Sequence, residues 1–578
     1  METINLSKKE REHLITILEE LKIENPNKNM DINKIISFIN DRKYGLLFER
    51  HIEQVDIDCE KNFLGFIEDI DKKIEIDKSL PYNFLLEGDN LHSLKLLEKT
   101  YIKNGKGLID VIYIDPPYNT KNKDFIYNDK IIGEDDAYRH SKWLSFMETR
   151  LKIAYDLLKD EGLIFISIDD NEFANLKLLC DDIFGEENML STHHIQVRYA
   201  EKTFLDKSIA PIMEYVLIYT KDIKQINLNL PKEEYTDENF IYKITELTNG
   251  TSITYENGQE IKIFKDGEWK IEKVLANIKA LKETWVSGTI YTKLSYGQVV
   301  KKYIEPRYKQ DGLNCLYKVI GRGEDGLGYR YYVGPQKKKA NRCKMYSGMP
   351  LDKVNDIQNG GAYKNIPISN YYDYSPDFGN IKHEGGIGFN SGKKPIKMLK
   401  EFVNYHPNKD AIVLDFFAGS GTTGHAIMEL NQEDGGNRQF ILCTNNENNI
   451  CEEITYQRLK TVITGIRQDG SKYSNGLPNN LKYLKNNLID KNDIEIEDKL
   501  LESVQCLIEL ENRIDIENTN SIQIVFNDED LENIFTNIEE IKKIYLINDV
   551  LLSSQQKEII NKNNIEIVEL LNHYYDFV

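Results

Sequence analysis

No stretch of the chain is apolar for the ~18 residues that a membrane-spanning helix needs, so none is expected to cross a bilayer. Cysteine is scarce, with seven in 578 residues and no two at Cys-x-x-Cys spacing. That excludes a zinc ribbon and a secreted disulfide framework. Gly-x-x-x-x-Gly-Lys-Ser/Thr is absent, so ATP hydrolysis at a P-loop is not expected. Met1–Glu10 is polar and lacks the apolar core of a signal peptide, and a cytoplasmic location follows as the expectation. There is no internal repeat and no long low-complexity segment. What is present is length for about three or four domains and 40% hydrophobic side chains, enough for several cores.

The formal net charge of −20 argues against general nucleic-acid binding, but it hides a local reversal. Residues 291–350 carry thirteen Lys or Arg against four Asp or Glu, with nine tyrosines. A basic, aromatic-rich patch in an acidic chain is a candidate phosphate-contacting surface. Its candidate DNA contacts are Arg322, Arg330, Lys337, Lys338, Lys339, Arg342 and Lys344. Residues 481–578 hold nine basic and 21 acidic side chains, which repel DNA and suit a protein partner.

Leu14, Ile17, Leu18 and Leu21 fall at helical spacing near the start. From Phe84 to Cys180 the pattern is α/β. Phe84-Leu85-Leu86 reads as a strand, and Leu91, Leu94 and Leu97 as a helix. Val111-Ile112-Tyr113-Ile114 is a buried strand ending at Asp115, and residues 119–137 form a polar loop. A helix follows through Trp143, Phe146, Met147, Leu151, Ala154 and Leu158, with Gly162 as its stop, before the strand Leu163–Ile168. Continuously apolar strands alternating with helices predict a parallel sheet covered on both faces. Residues 222–390 lose that alternation, which resumes at Ala411–Leu414 and Phe440–Cys443. A small strand–helix–strand pattern spans 521–570.

Asp415-Phe416-Phe417-Ala418-Gly419-Ser420-Gly421-Thr422-Thr423-Gly424 follows one strand and opens a helix. Glycines let backbone approach a ligand closely, and a helix start offers free N–H donors. Gly419, Gly421 and Gly424 satisfy Gly-x-Gly-x-x-Gly. Glu447, after the next strand, is the candidate ribose carboxylate. NAD and S-adenosylmethionine fit this motif equally.

Asp115-Pro116-Pro117-Tyr118 discriminates. Two prolines fix φ and remove two N–H donors, leaving the Pro116 carbonyl as an acceptor beside the Asp115 carboxylate. Tyr118 adds a flat ring. Two acceptors beside a stacking surface can hold an exocyclic amine, a two-proton donor, with its base in plane.

With both motifs in this order, the sequence resembles the β-class adenine-N6 DNA methyltransferases. Its resemblance is nearest to the modification (Mod) subunit of type III restriction–modification systems. Leu86–Leu91, Ile166–Glu172, Trp285–Gly288 and the end near Tyr574-Tyr575 extend the match over nearly the whole chain. The resemblance implies an α/β, Rossmann-like mixed sheet with permuted motif order. It also implies an inserted α+β target-recognition domain and a small C-terminal α/β domain.

The implied division is an N-terminal helical region at 1–80, then the first part of the methyltransferase domain at 81–221. Target recognition takes 222–385, the second methyltransferase part 386–480, and an acidic domain for subunit or partner contacts 481–578. Asp115, Pro116, Pro117 and Tyr118 are implied to be catalytic, with Asn119 closing over a flipped base. The implied cofactor is S-adenosylmethionine, with contacts expected from Asp89, Asp115, Asp415, Phe417, Gly419, Gly421, Thr422 and Glu447, and with Ser391 and Lys393 at the methionine end. Asp at position 115 favours adenine-N6 chemistry; Ser there would have suggested cytosine-N4.

The implied partners are double-stranded DNA, a second copy of the chain and an ATP-dependent restriction (Res) subunit. Alternatives are a solitary or type II methyltransferase, a catalytically silent DNA-binding subunit, and an NAD-dependent oxidoreductase. The last leaves Asp115–Tyr118 and the basic insert unexplained. Asp169, Asp170 and Glu172 are expected to cap a helix rather than bind metal.

Overall fold

The computed structural model describes residues 14–18, 21–22, 32, 46, 48–120, 126–127, 130–131, 136, 138–199, 209–287, 296–337, 340, 342–389, 393–535, 538–547 and 550–575. The chain forms two units, one from residues 1–229 and 369–578, the other from 230–368.

The first unit is built on a ten-stranded mixed sheet. Its strands are β1 (Asn62–Glu68), β2 (Tyr82–Glu87), β3 (Ile109–Ile114), β4 (Leu158–Ile168), β5 (Met189–Gln196), β6 (Met213–Thr220), β7 (Tyr371–Asp373), β8 (Ile412–Asp415), β9 (Gln439–Thr444) and β10 (Asn480–Asp490). Their order across the sheet is β1-β10-β2-β9-β8-β3-β4-β6-β5-β7. The six strands from β10 to β4 run parallel. β3 and β8 are buried along their whole length, as parallel strands covered on both faces must be. Cutting Ile112 or Leu414 to alanine is expected to cost about 2–5 kcal/mol.

Seven helices matter for the site: α1 (Asn90–Tyr101), α2 (Arg139–Leu157), α3 (Phe173–Phe184), α4 (Ile396–Val403), α5 (Thr422–Asp434), α6 (Gln457–Thr464) and α7 (Ile496–Asn512). Asp89 caps α1 by accepting from the Leu91 N–H at 2.7 Å. On α2, Trp143, Met147, Leu151 and Ala154 are buried, the stripe that helical spacing predicts. The helix stops at Leu157, five residues before Gly162, because Leu158 is extended and pairs with Ile109 of β3.

The second unit carries an eight-stranded antiparallel sheet. Side chains alternate to two hydrophobic clusters. Tyr317, Tyr332 and Met345 join one, and Leu316, Tyr331 and Tyr346 the other.

The units depart from the expected boundaries for identifiable reasons. The insert spans 230–368 rather than 222–385, because β7 pairs in parallel with β5 at the edge of the main sheet. Residues 62–68, expected within a helical region, form β1, paired antiparallel with β10. The expected C-terminal domain at 481 begins inside β10; the separate three-stranded parallel sheet starts only at Ile522. Among the described residues, no helix is long and apolar enough to cross a membrane.

Candidate active site

β8 leads through α5 to β9 on one side of the sheet, whereas β3 leads through α2 to β4 on the other. The strand order therefore reverses between the parallel neighbours β8 and β3, a topological switch point, where open α/β sheets bind ligands beyond the strand carboxyl ends. Val413 pairs with Val111 and Leu414 with Ile112, so the glycine turn and the Asp115–Tyr118 turn leave the same edge side by side. Asp89 follows β2 and Glu447 follows β9, the next two strands along.

In the glycine turn, Gly419 has φ +49° and Gly421 φ +72°, conformations that favour glycine. A Cβ on Gly419 would meet nothing nearer than the Phe417 carbonyl at 3.8 Å, so the space above it is open. Gly424 differs: a Cβ there would lie 2.9 Å from Leu459 and 3.1 Å from Leu442. It is the glycine that lets α5 lie close to the sheet. Asp415 is buried and accepts from the Phe417 N–H at 3.0 Å and the Thr423 hydroxyl at 2.5 Å. Burial pushes its carboxyl up to about 7. Thr422, expected at the cofactor, is buried and accepts from Arg458 at 2.6 Å.

Arg150 of α2 supports the Asp89 turn and, through Asn90, which donates to the Phe416 carbonyl, the glycine turn. It is fully buried, pairs with Glu53 at 2.8 Å, donates to Asn90 at 2.6 Å and stands 3.4 Å from Asp89. Asp89 stays half-exposed. Glu447 is exposed on a turn where Asn448 and Asn449 have positive φ.

The Asp115 turn is rigid. Trp143 Nε1 donates to the Pro117 carbonyl at 2.7 Å, while no hydrogen bond among the described residues takes up the Pro116 carbonyl. Tyr118 donates its hydroxyl to Asp115 Oδ1 at 2.8 Å. Lys394, which precedes α4, donates to that hydroxyl at 2.5 Å and to Glu214 of β6 at 2.7 Å, and lies 3.3 Å from Asp115 Oδ1. Burial pushes the Asp115 carboxyl up, against the pull of Lys394, and it sits above the usual carboxylate range. Glu214 feels the same burial, but Lys394 and Tyr118 outweigh it and hold that carboxyl below its ordinary value.

Several expected residues lie elsewhere. Lys393 faces three backbone carbonyls, those of Lys382, Glu384 and Ile387, and burial lowers its ammonium to about 8. Its neighbour Lys394, missed in sequence, reaches the site. Asn119 does not project as a clamp. It is buried, with φ +54°, and donates to Glu172 at 2.5 Å. Glu172 makes no side-chain cap on α3; its carboxylate holds Asn119, Asn175 and His140. Asp169 accepts from the Asn171 N–H, and Asp170 from Tyr215.

Arg330 is buried and ion-paired with Asp325, which removes it from the candidate DNA surface. Lys344 pairs with Glu283 at 3.0 Å beside the exposed Trp285. Arg322, Lys337 and Arg342 are exposed. Lys338, Lys339, Ser391 and most of the loop 119–137 lie outside the described residues. Among the described residues, no group of three or more His, Cys, Asp or Glu is placed to hold a metal ion.

A mixed sheet whose parallel centre carries a glycine turn and an acidic proline turn side by side at its switch point defines the class: an α/β methyltransferase fold. A sequence profile of the DNA methylase family matches residues 109–457, which take in both turns, and the chain belongs to that family. The StyLTI Mod subunit, a type III restriction–modification enzyme of Salmonella typhimurium, is 31% identical over 71% of this chain and 61% of its own length. The type II methyltransferase M.KpnI of Klebsiella pneumoniae is 31% identical over 62% of this chain and 79% of its own. The chain spans only 52–61% of the type III Mod relatives it matches. Among solved structures, the cytosine-N4-specific PvuII DNA methyltransferase matches at TM-score 0.30 and 11% identity, over 63% of this chain and 83% of that one. That likeness is too loose to carry any argument.

Proposed function

We propose that the chain methylates the N6 amine of adenine in a short DNA sequence, as the modification subunit of a type III restriction–modification system. The observation that carries this is the placement of Asp115 and the untaken Pro116 carbonyl beside the glycine turn at the switch point.

The residues fit S-adenosylmethionine. The open space above Gly419 is a cradle that a side chain would fill. Asp89 and Glu447 offer accessible carboxylates from neighbouring strand ends for adenine and ribose, and Phe417 lies in the turn after β8, the strand beside that of Glu447. The cofactor supplies an electrophilic methyl group.

The protein does the rest by orientation and fixed charge. Adenine N6 is a poor nucleophile because its lone pair is delocalised into the ring. Hydrogen bonds from N6 to the Asp115 carboxylate and the Pro116 carbonyl favour a more tetrahedral, more nucleophilic nitrogen. Asp115 is also placed to take the proton that N6 sheds. A base inside a duplex cannot reach this turn, so it must flip out, and the half-buried Tyr118 ring is its stacking surface. Among the described candidates of the insert, Arg322, Lys337 and Arg342 are exposed and available to contact phosphates.

A type II enzyme is the second reading, favoured by the 79% coverage of M.KpnI. The type III reading brings with it a second copy of the chain, an ATP-dependent Res subunit and a cytoplasmic location. Incubating methyl-free DNA with the protein and S-adenosylmethionine, then digesting it for mass spectrometry, tests the chemistry. N6-methyladenine is expected. N4-methylcytosine, or no modified base while the cofactor binds, contradicts the assignment.

A further inference from the structure

Three separate elements meet at one ammonium. Asp115 directly follows β3, Glu214 lies on β6, and Lys394 precedes α4. Tyr215 pairs with Ile168, the last residue of β4, so Glu214 sits at the same sheet edge as Asp115. Lys394 is buried, and its three donors have three partners: Glu214, the Tyr118 hydroxyl and Asp115. A lysine sealed between two carboxylates is costly to bury unless it is paired in this way.

We propose that Lys394 is a positioning residue for adenine methylation: it holds Asp115 as an aimed, ionised acceptor, and Glu214 holds Lys394 in place. This rests on the adenine-N6 reading of the site. With Oδ1 occupied by Tyr118 and Lys394, the second carboxylate oxygen is left for the amine of the base. The ammonium also keeps Asp115 charged where burial favours the neutral acid, and a neutral acid would lose the acceptor that N6 requires.

The groups facing Asp115 are Tyr118 from its own turn, Tyr113 of β3, Asp415 of β8, Glu214 of β6 and Lys394. Arg198 and Asp169 act on Glu214 from further out. Among the groups facing Asp115, Lys394 supplies the cation. Removing it raises the pH at which Asp115 ionises. Removing the Glu214 charge lowers that pH, because Glu214 repels a charged Asp115. Opposite signs from two members of one cluster separate this role from mere support of the fold.

The test is kcat/KM for N6-methyladenine formation between pH 5 and 9, for wild type, Lys394→Gln, Lys394→Arg and Glu214→Gln. S-adenosylmethionine binding and thermal unfolding are measured in parallel. Lys394→Gln is expected to move the acid limb up by about one pH unit or more, an about tenfold relative loss on that limb. Lys394→Arg moves it back towards wild type. Glu214→Gln moves it down, so the inference stays testable if Lys394→Gln fails to fold. An active wild type whose variants lower the plateau but leave the limb in place overturns the role of Lys394 alone. A folded, cofactor-binding wild type that forms no N6-methyladenine overturns both this role and the reading beneath it.

Discussion

Arg150 donates to the Asn90 side-chain oxygen at 2.6 Å, and Asn90 in turn donates to the Phe416 carbonyl at 2.7 Å. This relay joins α2 to the start of α1 and to the glycine turn, three segments far apart in sequence. The same guanidinium pairs with buried Glu53 and packs 3.6 Å from the Phe146 ring centre. Arg150→Met leaves Glu53 buried and unpaired, and is expected to cost about 3–5 kcal/mol. Urea unfolding reads that loss. Calorimetric titration is expected to show weaker S-adenosylmethionine binding, since Asp89 and the turn lose a common support. A loss below 1 kcal/mol would show that the relay is not structural.

The three glycines of the turn are predicted to fail differently. Gly419→Ala adds a methyl to open space and leaves a residue in the left-handed region, a strain of about 1–2 kcal/mol. It should fold and lose cofactor affinity. Gly424→Ala pushes against Leu459 and Leu442 and should lose about 1–3 kcal/mol of stability while retaining more affinity. Gly421→Ala combines positive φ with a contact 3.0 Å from Thr455 and should lose both. Thermal unfolding and titration calorimetry on the three variants separate these outcomes.

Asp415 gives a pH signature of folding. Its folded value of about 7 lies above the ordinary 3.8, so the folded state binds the extra proton. The stability it contributes is present below pH ~4 and is lost as pH rises towards ~7. Asp415→Asn keeps the shape and removes the titration. The stability difference, variant minus wild type, is expected to grow between pH 4 and 7 and level off above. A flat difference across urea unfolding series at pH 4, 5, 6, 7 and 8 would contradict this.

Asp115→Ala removes the acceptor for the target amine while leaving the glycine turn untouched. Methylation is expected to fall by about 10²–10³-fold or more, with cofactor affinity held within a few-fold. Parallel loss of both would mean that Asp115 serves chiefly to hold the cofactor.

The sheet and both turns were legible because their signals are local. A buried apolar run followed by Asp-Pro-Pro, or by small residues, fixes a strand and its exit without knowledge of neighbours. What stayed hidden depended on partners distant in sequence. Lys393 and Lys394 are indistinguishable side by side; the approach to α4 turns one to backbone carbonyls and the other to Asp115. Glu214, Arg150 and Glu53 carry no motif at all. In the basic window, Lys318 and Lys344 are neutralised by Glu246 and Glu283, both outside it. Tyr331 and Tyr346, read as a surface, are core because strand alternation turns them inward on a sheet packed on two faces. Arg330 pairs with Asp325 across a turn, so local charge overstated the exposed cations.

The central claim is sequence-specific adenine-N6 methylation through Asp115. Modification-sensitive sequencing of methyl-free DNA, treated with S-adenosylmethionine and either wild type or Asp115→Ala, tests it most directly. The expected result is N6-methyladenine on one strand of a short asymmetric site with wild type, and none with the variant. Methylation of both strands of a palindrome would turn the assignment to a type II enzyme. Unmodified DNA, with cofactor binding intact, would contradict the claim.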